Sequence, residues 1–301
     1  MTARPEGSAT RPPLVSVCVL TYNHREFINT CVDSVLAQQT DFDLEILLGE
    51  NDSSDGTREI CARYANEDDR IHLVLSSREE VFHFEGKPTG QWNFLKTLGE
   101  ARGRYIALVD GDDYWSDPSK LQRQVDLLER HPESSGCFHG CRVEYDNRSS
   151  GSGRLAPSRG RQTFTVEDIL DRNFVPTPSI VFRRAGLELP PALWRLPMGD
   201  WPLHLLNLMR GSYEYLDREM SVFRVHSEGA WSQLARSQRL KGSLLFYDFA
   251  RDQLGPDYAE LIRKKRRAYR FRESRLGRWS RPLRKKLRLR SRLSRLSAPW
   301  S

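Results

Sequence analysis

VDGDDYW, residues 109–115, follows directly on the apolar run RYIAL (104–108), so a buried strand ends in three carboxylates within four positions. One reading is a solvated turn into a helix capped at Ser116 or Asp117, with Pro118 in the first helical turn. The other is a socket for a divalent cation. What the neighbouring strands carry at their ends decides between them.

Three other short apolar runs precede this one. LVSVCVL (14–20) stops at Thr21-Tyr22-Asn23, LEILLG (44–49) stops at Glu50-Asn51-Asp52, and IHLVLS (71–76) stops just before Arg78. Each reads as a buried strand closed by turn residues. Between them, Phe27, Ile28, Cys31, Val32, Val35 and Leu36 recur at helical spacing, and TREICARYA and QWNFLKTLGEA read as further helices. Alternating strands and helices predict an α/β fold, a mostly parallel sheet with helices on both faces. In such sheets ligands bind beyond the carboxyl ends of the strands, and there the polar residues collect.

The second half is less regular. SKLQRQVDLLERHP reads as a helix with Leu121, Val125 and Leu128 on one side, GCFHGCRVEYD as a strand, and NRSSGSGRLAPSRGR as a loop. SIVFRR reads as a strand, a helix starts near Asp200, and YEYLDREMSVFRVHSEGAWS reads as two short strands ending at His226.

Composition narrows the class. The 301 residues are 38% hydrophobic and 29% charged, and no run approaches the ~20 apolar residues of a membrane span. MTARPEGSATRPP lacks the apolar centre of a secretory signal and reads as a disordered leader, residues 1–13. Of five cysteines, Cys18, Cys31 and Cys61 sit in apolar stretches. Cys137 and Cys141 of CFHGC have no second ligand pair at finger-like spacing, so no zinc site is read. An odd, scattered set fits a reducing compartment, and the cytoplasm is expected. From Arg263 onward 17 Lys and Arg face one acid, Glu273, so the formal +7 divides into a tail of +16 and a body of −9. An acidic body argues against a protein built to wrap nucleic acid.

Asp-X-Asp alone is weak: with 20 aspartates in the chain, chance supplies roughly one. Asp41-Phe42-Asp43 is a second instance, in a connection where no role is assigned. Asp110 differs in ending a buried strand at the ligand edge. In extended chain Asp112 falls on the same side, with Gly111 between them allowing close approach. Such oxygens suit Mg²⁺ or Mn²⁺ shared with substrate phosphates. The first turn carries neither a dinucleotide fingerprint nor a Walker lysine, so a nucleotide held here would need another means of handling its phosphates.

VSVCVLTYNHREFINTCVDSVLAQ, GENDSSDGT, GRYIALVDGDDYWSDPSKLQRQV, and MGDWPL with VFRVH resemble, in order over about residues 14–232, the landmarks of family 2 glycosyltransferases of the GT-A fold. The resemblance implies an inverting enzyme that moves a sugar from a nucleotide-diphosphate donor, UDP-type favoured, to a glycan or lipid-linked acceptor in cell-surface glycan synthesis. It implies a domain over 14–235, split into a nucleotide-sugar half (14–113) and an acceptor half (114–235), and leaves outside it residues 236–301, which read from charge and spacing as a basic helical extension. Thr21, Tyr22, Asn23, Glu50, Asn51, Asp52, Asn93, Asp110 and Gly111 would line the donor. Asp110, Asp112 and His226 would hold the metal, and Asp200 would be the base. Asp55 matches a family aspartate and equally reads as a helix cap. Arg78 is read as a surface arginine that could instead approach a phosphate. Trp115, Trp201 and Trp231 are either core or sugar platforms. Two rivals stay open: a nucleotidyltransferase-like enzyme, which usually has a glycine-rich basic signature that TYNHREF lacks, and a binding module without turnover.

In the tail, Leu276, Trp279, Leu283 and Leu287 fall at helical spacing among arginines. A basic amphipathic stretch over 263–296 predicts a peripheral contact with the inner, anionic face of a membrane. The alternatives are a solvated tail or attraction to nucleic acid, for which nothing supplies base readout.

Overall fold

β1 (Val15–Thr21) is the hub of the sheet, and every residue of it but Leu20 is buried. It is flanked on both sides by parallel partners, β2 (Leu44–Glu50) and β6 (Tyr105–Asp110), with Thr21 opposite Glu50 and Leu20 opposite Asp110. The carboxyl ends of the three strands are therefore level. The computed structural model describes residues 12–77, 79, 82–145, 153–157, 160–226, 229 and 234–273. Most of the leader, Arg78, Trp231 and the sequence after Glu273 lie outside them.

Two helices follow the strands in βα order. α1 (Ile28–Leu36) buries Ile28, Cys31, Val32 and Val35, and α2 (Thr57–Glu67) precedes β3 (Ile71–Leu75), which pairs parallel with β2. Each fully buried aliphatic side chain contributes about 2 kcal/mol. These helices share one core with β1 and β2. A small hairpin, β4 (His83–Phe84) and β5 (Lys87–Pro88), leads to α3 (Gln91–Gly99). α3 packs close to β2 because Gly49 has no side chain: a Cβ there would collide with Thr97 Oγ1.

Beyond β6 the sheet departs from simple alternation. β7 (Tyr114–Trp115), α4 (Lys120–Arg130), β8 (Gly136–Tyr145), β9 (Gly153–Leu155), β10 (Thr163–Phe164), α5 (Val166–Ile169), β11 (Val181–Arg183), α6 (Asp200–Leu208) and β12 (Tyr213–Val225) follow. The main order is β10-β12-β8-β11-β6-β1-β2-β3, with β7 on β12 and β9 on β8. β11 runs antiparallel between β6 and β8, whereas β12 is parallel to β8. The sheet is thus mostly parallel but mixed.

Three expectations change. The polar stretch Asp217-Arg218-Glu219 does not divide two strands. β12 is one strand of 13 residues that absorbs it in register shifts between Leu216, Glu219 and Ser221. Part of the Gly/Ser/Arg loop pairs as β9, Arg154 opposite Arg142, anchored by Arg154 to Asp217 and Glu219. Helix α4 starts at Lys120, after Pro118, because β7 and the Ser116 N–H bond to Met220 O keep the chain extended.

The chain divides into two compact units, ending and beginning at Ala235 and Arg236. The second contains α7 (Arg236–Leu254), a turn at Gly255, and α8 (Ala259–Glu273). The two helices are joined by Ser243 Oγ to Tyr269 OH at 2.9 Å and by Arg266 to Asp248 at 3.2 Å. Among the described residues no helix is long and apolar enough to cross a membrane.

Candidate active site

β1 and β2 both end in left-handed residues, Asn23 (φ 53°) and Asp52 (φ 59°), a conformation Asn and Asp tolerate better than most. The turns are tied together. Asn23 N–H donates to Ser53 Oγ, Ser54 N–H donates to Asn23 Oδ1, and His24 N–H donates to Thr57 Oγ1. Asp55 accepts from the backbone N–H groups of Arg25 and Thr57 and from the Thr57 hydroxyl. It closes the turn ahead of α2.

The same weave occupies several expected donor residues. Glu50 is fully buried and accepts from Ser53 N–H at 2.6 Å and Arg58 Nε at 2.5 Å, while Arg58 also pairs with Asp52 at 3.1 Å. Asn93 is 2% exposed, donates to Gly49 O and accepts from Ser76 Oγ, tying α3 to the β2 and β3 ends. Thr21 and Asn51 are buried beside each other, with Asn51 N–H on Thr21 O, and Tyr22 is exposed.

At the end of β6 the carboxylates converge. Oxygens of Asp110, Asp112 and Asp113 lie within 4.8 Å of one another. The turn is fixed by Gly111 N–H to Leu20 O and Asp113 N–H to Asp110 O. Gly111 makes room, but for the chain itself: a Cβ there would stand 2.8 Å from Thr21 Oγ1 and 2.9 Å from His24 Nδ1. His226, at the end of β12, donates Nε2–H to Asp112 Oδ2 at 2.8 Å, and His24 Nε2 lies 3.8 Å from the same oxygen. Arg224 holds the turn from β12: its backbone N–H donates to Asp113 Oδ1 and its guanidinium to Asp112 O. That guanidinium stacks over the Tyr114 and Phe27 rings. A cavity of about 250 Å³ opens beside His226, lined also by Phe27, Glu144 and Tyr145.

The electrostatics are uneven. Burial, then the Asp112 charge, then Asp200 push the Asp110 carboxyl up, against a hydrogen bond from Thr177. Burial and the other two carboxylates push Asp113 well up despite Arg224. Burial also works against the Asp112 charge, but His226 and His24 outweigh it and hold that carboxyl below the usual range. Asp200 is the first residue of α6. Burial raises it, opposed by the Trp201 N–H and by Asn173 Nδ2 at 2.7 Å.

This donor set fits a hard divalent cation. The converging ligands are carboxylate oxygens; His226, expected as a ligand beside Asp110 and Asp112, has its Nε2 on Asp112 Oδ2 instead, and Asp113 Oδ2 is buried with no hydrogen-bond partner. An unsatisfied buried carboxylate oxygen is costly, and a cation would relieve it.

The structure brings together Asp110, Asp112, His226 and Gly111, and sets Asp200 within electrostatic reach of Asp110. Trp115 and Trp201 are core: each is about 95% buried and donates its indole N–H to a backbone carbonyl, of Pro178 and Ile169 respectively. Sequence reasoning missed His24, Asn173, Thr177 and the clamp made by Arg224. Only His24 carried a signal, standing directly after the strand-end turn Thr21-Tyr22-Asn23.

The profile of Glycosyl transferase family 2 matches residues 16–188. Uncharacterized protein Rv1520 of Mycobacterium tuberculosis is 34% identical over 227 residues, 75% of this chain and 62% of its own length. The chain therefore matches less than two thirds of that relative. The putative teichuronic acid biosynthesis glycosyltransferase TuaG of Bacillus subtilis is 36% identical over 116 residues, 38% of this chain and 42% of TuaG. Among solved structures, TarS of S. aureus superposes with a TM-score of 0.60 at 18% identity, covering 89% of this chain and 45% of TarS. Mannosyltransferase PcManGT from Pyrobaculum calidifontis, in complex with GDP-Man and Mn²⁺, gives 0.55 at 18% identity, covering 87% and 73%. Those two likenesses establish the GT-A fold alone, but the family profile spans more than half the chain, and the chain belongs to glycosyl transferase family 2.

Proposed function

We propose that the protein is an inverting, cation-dependent glycosyltransferase. It transfers a glycosyl group from a nucleotide-diphosphate donor, UDP-type favoured, to a hydroxyl of a glycan or lipid-linked acceptor in cell-surface polysaccharide synthesis. It works in the cytoplasm, in keeping with five free, buried cysteines. The observation that carries the reading is the convergence of Asp110, Asp112 and Asp113 on one point whose field reaches Asp200. The TarS structures in complex with UDP and UDP-GlcNAc and the PcManGT complex with GDP-Man and Mn²⁺ support a nucleotide-sugar donor. TuaG supports the polysaccharide setting.

Asp110, Asp112 and Asp113 would hold Mg²⁺ or Mn²⁺, which when bound neutralises the departing diphosphate as a Lewis acid. His226 and His24 orient Asp112 and keep it ionised. Thr21, Tyr22 and Asn51 border the level strand ends where the nucleoside would lie. Asp200 is the base. Its oxygen toward Asn173 is held, and burial makes the carboxylate a stronger proton acceptor than one in water. Asp200 takes the acceptor hydroxyl proton as that oxygen bonds to the anomeric carbon, and the carbon–oxygen bond to the diphosphate breaks on the opposite face. One displacement inverts the centre.

A thermal-shift screen of nucleotide-diphosphate sugars, with and without Mn²⁺, reports donor binding because a ligand for the folded state raises its stability. Asp200→Asn is expected to keep the donor shift and lose transfer. Asp112→Asn is expected to lose the Mn²⁺-dependent part of the shift. Full transfer by the first variant, or an unchanged Mn²⁺ response in the second, would refute the assignments.

A further inference from the structure

α8 carries a feature that sugar transfer does not use. Over Ala259–Glu273 its sequence holds seven Lys and Arg against Glu260 and Glu273. Arg263, Lys264, Arg267, Arg270 and Phe271 are all exposed. At 3.6 residues per turn these positions share one face of the helix. The opposite side is committed to the hairpin: Ile262 is buried, Tyr269 bonds Ser243, and Arg266 pairs with Asp248. Of the exposed cations, Arg263 reaches Glu260 at 3.2 Å, a surface pair of small worth. Phe271 is 51% exposed, next to Arg270 and one turn beyond Arg267 on this face.

We propose that this face of α8 docks on an anionic phospholipid surface. Charge complementarity selects the partner's sign, since each Lys or Arg close to an anionic leaflet adds favourable energy. Phe271 selects a bilayer among anionic partners. An aromatic ring amid cations on a polar helix face loses water-exposed apolar area by entering the boundary between headgroups and acyl chains. The sequence beyond α8 continues the composition, with ten Lys and Arg, no acid, six leucines and two tryptophans over 274–301. The proposal stands on charge and exposure, independent of the sugar chemistry, so failure of either reading leaves the other intact.

The buried native cysteines allow a direct test on the full chain. Phe271→Cys places one exposed thiol for an environment-sensitive fluorophore. Vesicles of equal parts phosphatidylcholine and phosphatidylglycerol are expected to shift its emission to the blue and raise its intensity, and pure phosphatidylcholine vesicles to leave it unchanged. In the labelled background, each of Arg263→Gln, Lys264→Gln, Arg267→Gln and Arg270→Gln is expected to weaken vesicle binding about fivefold. No blue shift on the anionic vesicles would overturn the proposal even if residues 274–301 tether the protein to them. So would an equal shift on neutral vesicles, or unchanged binding after all four replacements. A shift evoked by duplex DNA and not by vesicles would reassign the face to nucleic acid.

Discussion

Lys120 is fully buried at the first turn of α4, with Nζ 4.1 Å from the Trp115 ring centre and no hydrogen-bond partner. Burial pushes its ammonium from the ordinary 10.5 down to about 7, against the weak pull of Cys137 and Cys141. The unfolded chain holds this proton up to about 10.5 and the folded chain releases it near 7. Between those values the unfolded state binds more protons, so stability rises with pH; below about 7 the penalty is complete. At about 1.4 kcal/mol per pH unit the shift from 10.5 to about 7 is a net penalty of about 5 kcal/mol on the charged form, every charge-dependent contact included. Lys120→Met keeps the length of the side chain and removes the charge. It is expected to stabilise the protein by up to about 5 kcal/mol at pH 6.5 or below, with the gain shrinking steadily toward pH 10. Urea unfolding followed by circular dichroism at several pH values reads this as a change in midpoint at constant slope. A gain independent of pH, or a loss at every pH, would refute the argument, because the amine would then not be a buried, depressed base.

Two further predictions concern the site. Gly111→Ala forces a methyl group against Thr21 and His24; overpacking of this kind costs about 1–3 kcal/mol. The variant is expected to melt lower and to lose the Mn²⁺-dependent thermal shift as His24 is driven off Asp112, and a retained Mn²⁺ response would refute the packing argument. Asn173→Ala removes the 2.7 Å donor to Asp200, so the carboxyl rises further. Because the ionised form is the proposed base, activity is expected to disappear as pH falls through that pKa. The acid limb of the kcat/KM profile is expected about one pH unit higher in the variant, and an unmoved limb would remove Asp200 as the base.

The sequence was most legible where local pattern and tertiary fate coincide. β1, β2 and β6 are runs of apolar residues that no solvated element could carry, and each stops at polar residues, so strands and ligand edge both appear in one dimension. Legibility failed where distant segments supply the contact. Thr177 and Asn173 come from the stretch ahead of β11 and reach Asp110 and Asp200 across the fold, with no periodicity to mark them. Glu50 drew attention as a strand end and Asn93 only through the family resemblance, and neither reading could show that Arg58, Ser53, Gly49 and Ser76 would share their hydrogen-bonding atoms. Lys120 was hidden for the opposite reason. A lysine in the first turn of a helix reads as solvent-facing, and nothing nearby in sequence tells that Trp115 will be folded over it.

The carboxylate cluster also explains why the turn after β6 needs so many fastenings. Three acids crowded at a buried strand end repel one another, and an unrestrained turn would relax by swinging one of them into water. The chain prevents that from two sides. Gly111 is pinned to Leu20 O, and β12 arrives in register to deliver the Arg224 N–H to Asp113, its guanidinium to Asp112 O, and His226 to the Asp112 carboxylate. The repulsion is then stored in protonation: Asp110 and Asp113 are held toward their neutral forms while Asp112 stays charged. A divalent cation entering the proposed site would displace protons rather than reorganise backbone, so its binding would tighten with rising pH and cost little conformational entropy. Pairing β12 with β8 and β7 is therefore as much a part of the proposed cation site as Asp110 and Asp112, although it lies a hundred residues away in sequence.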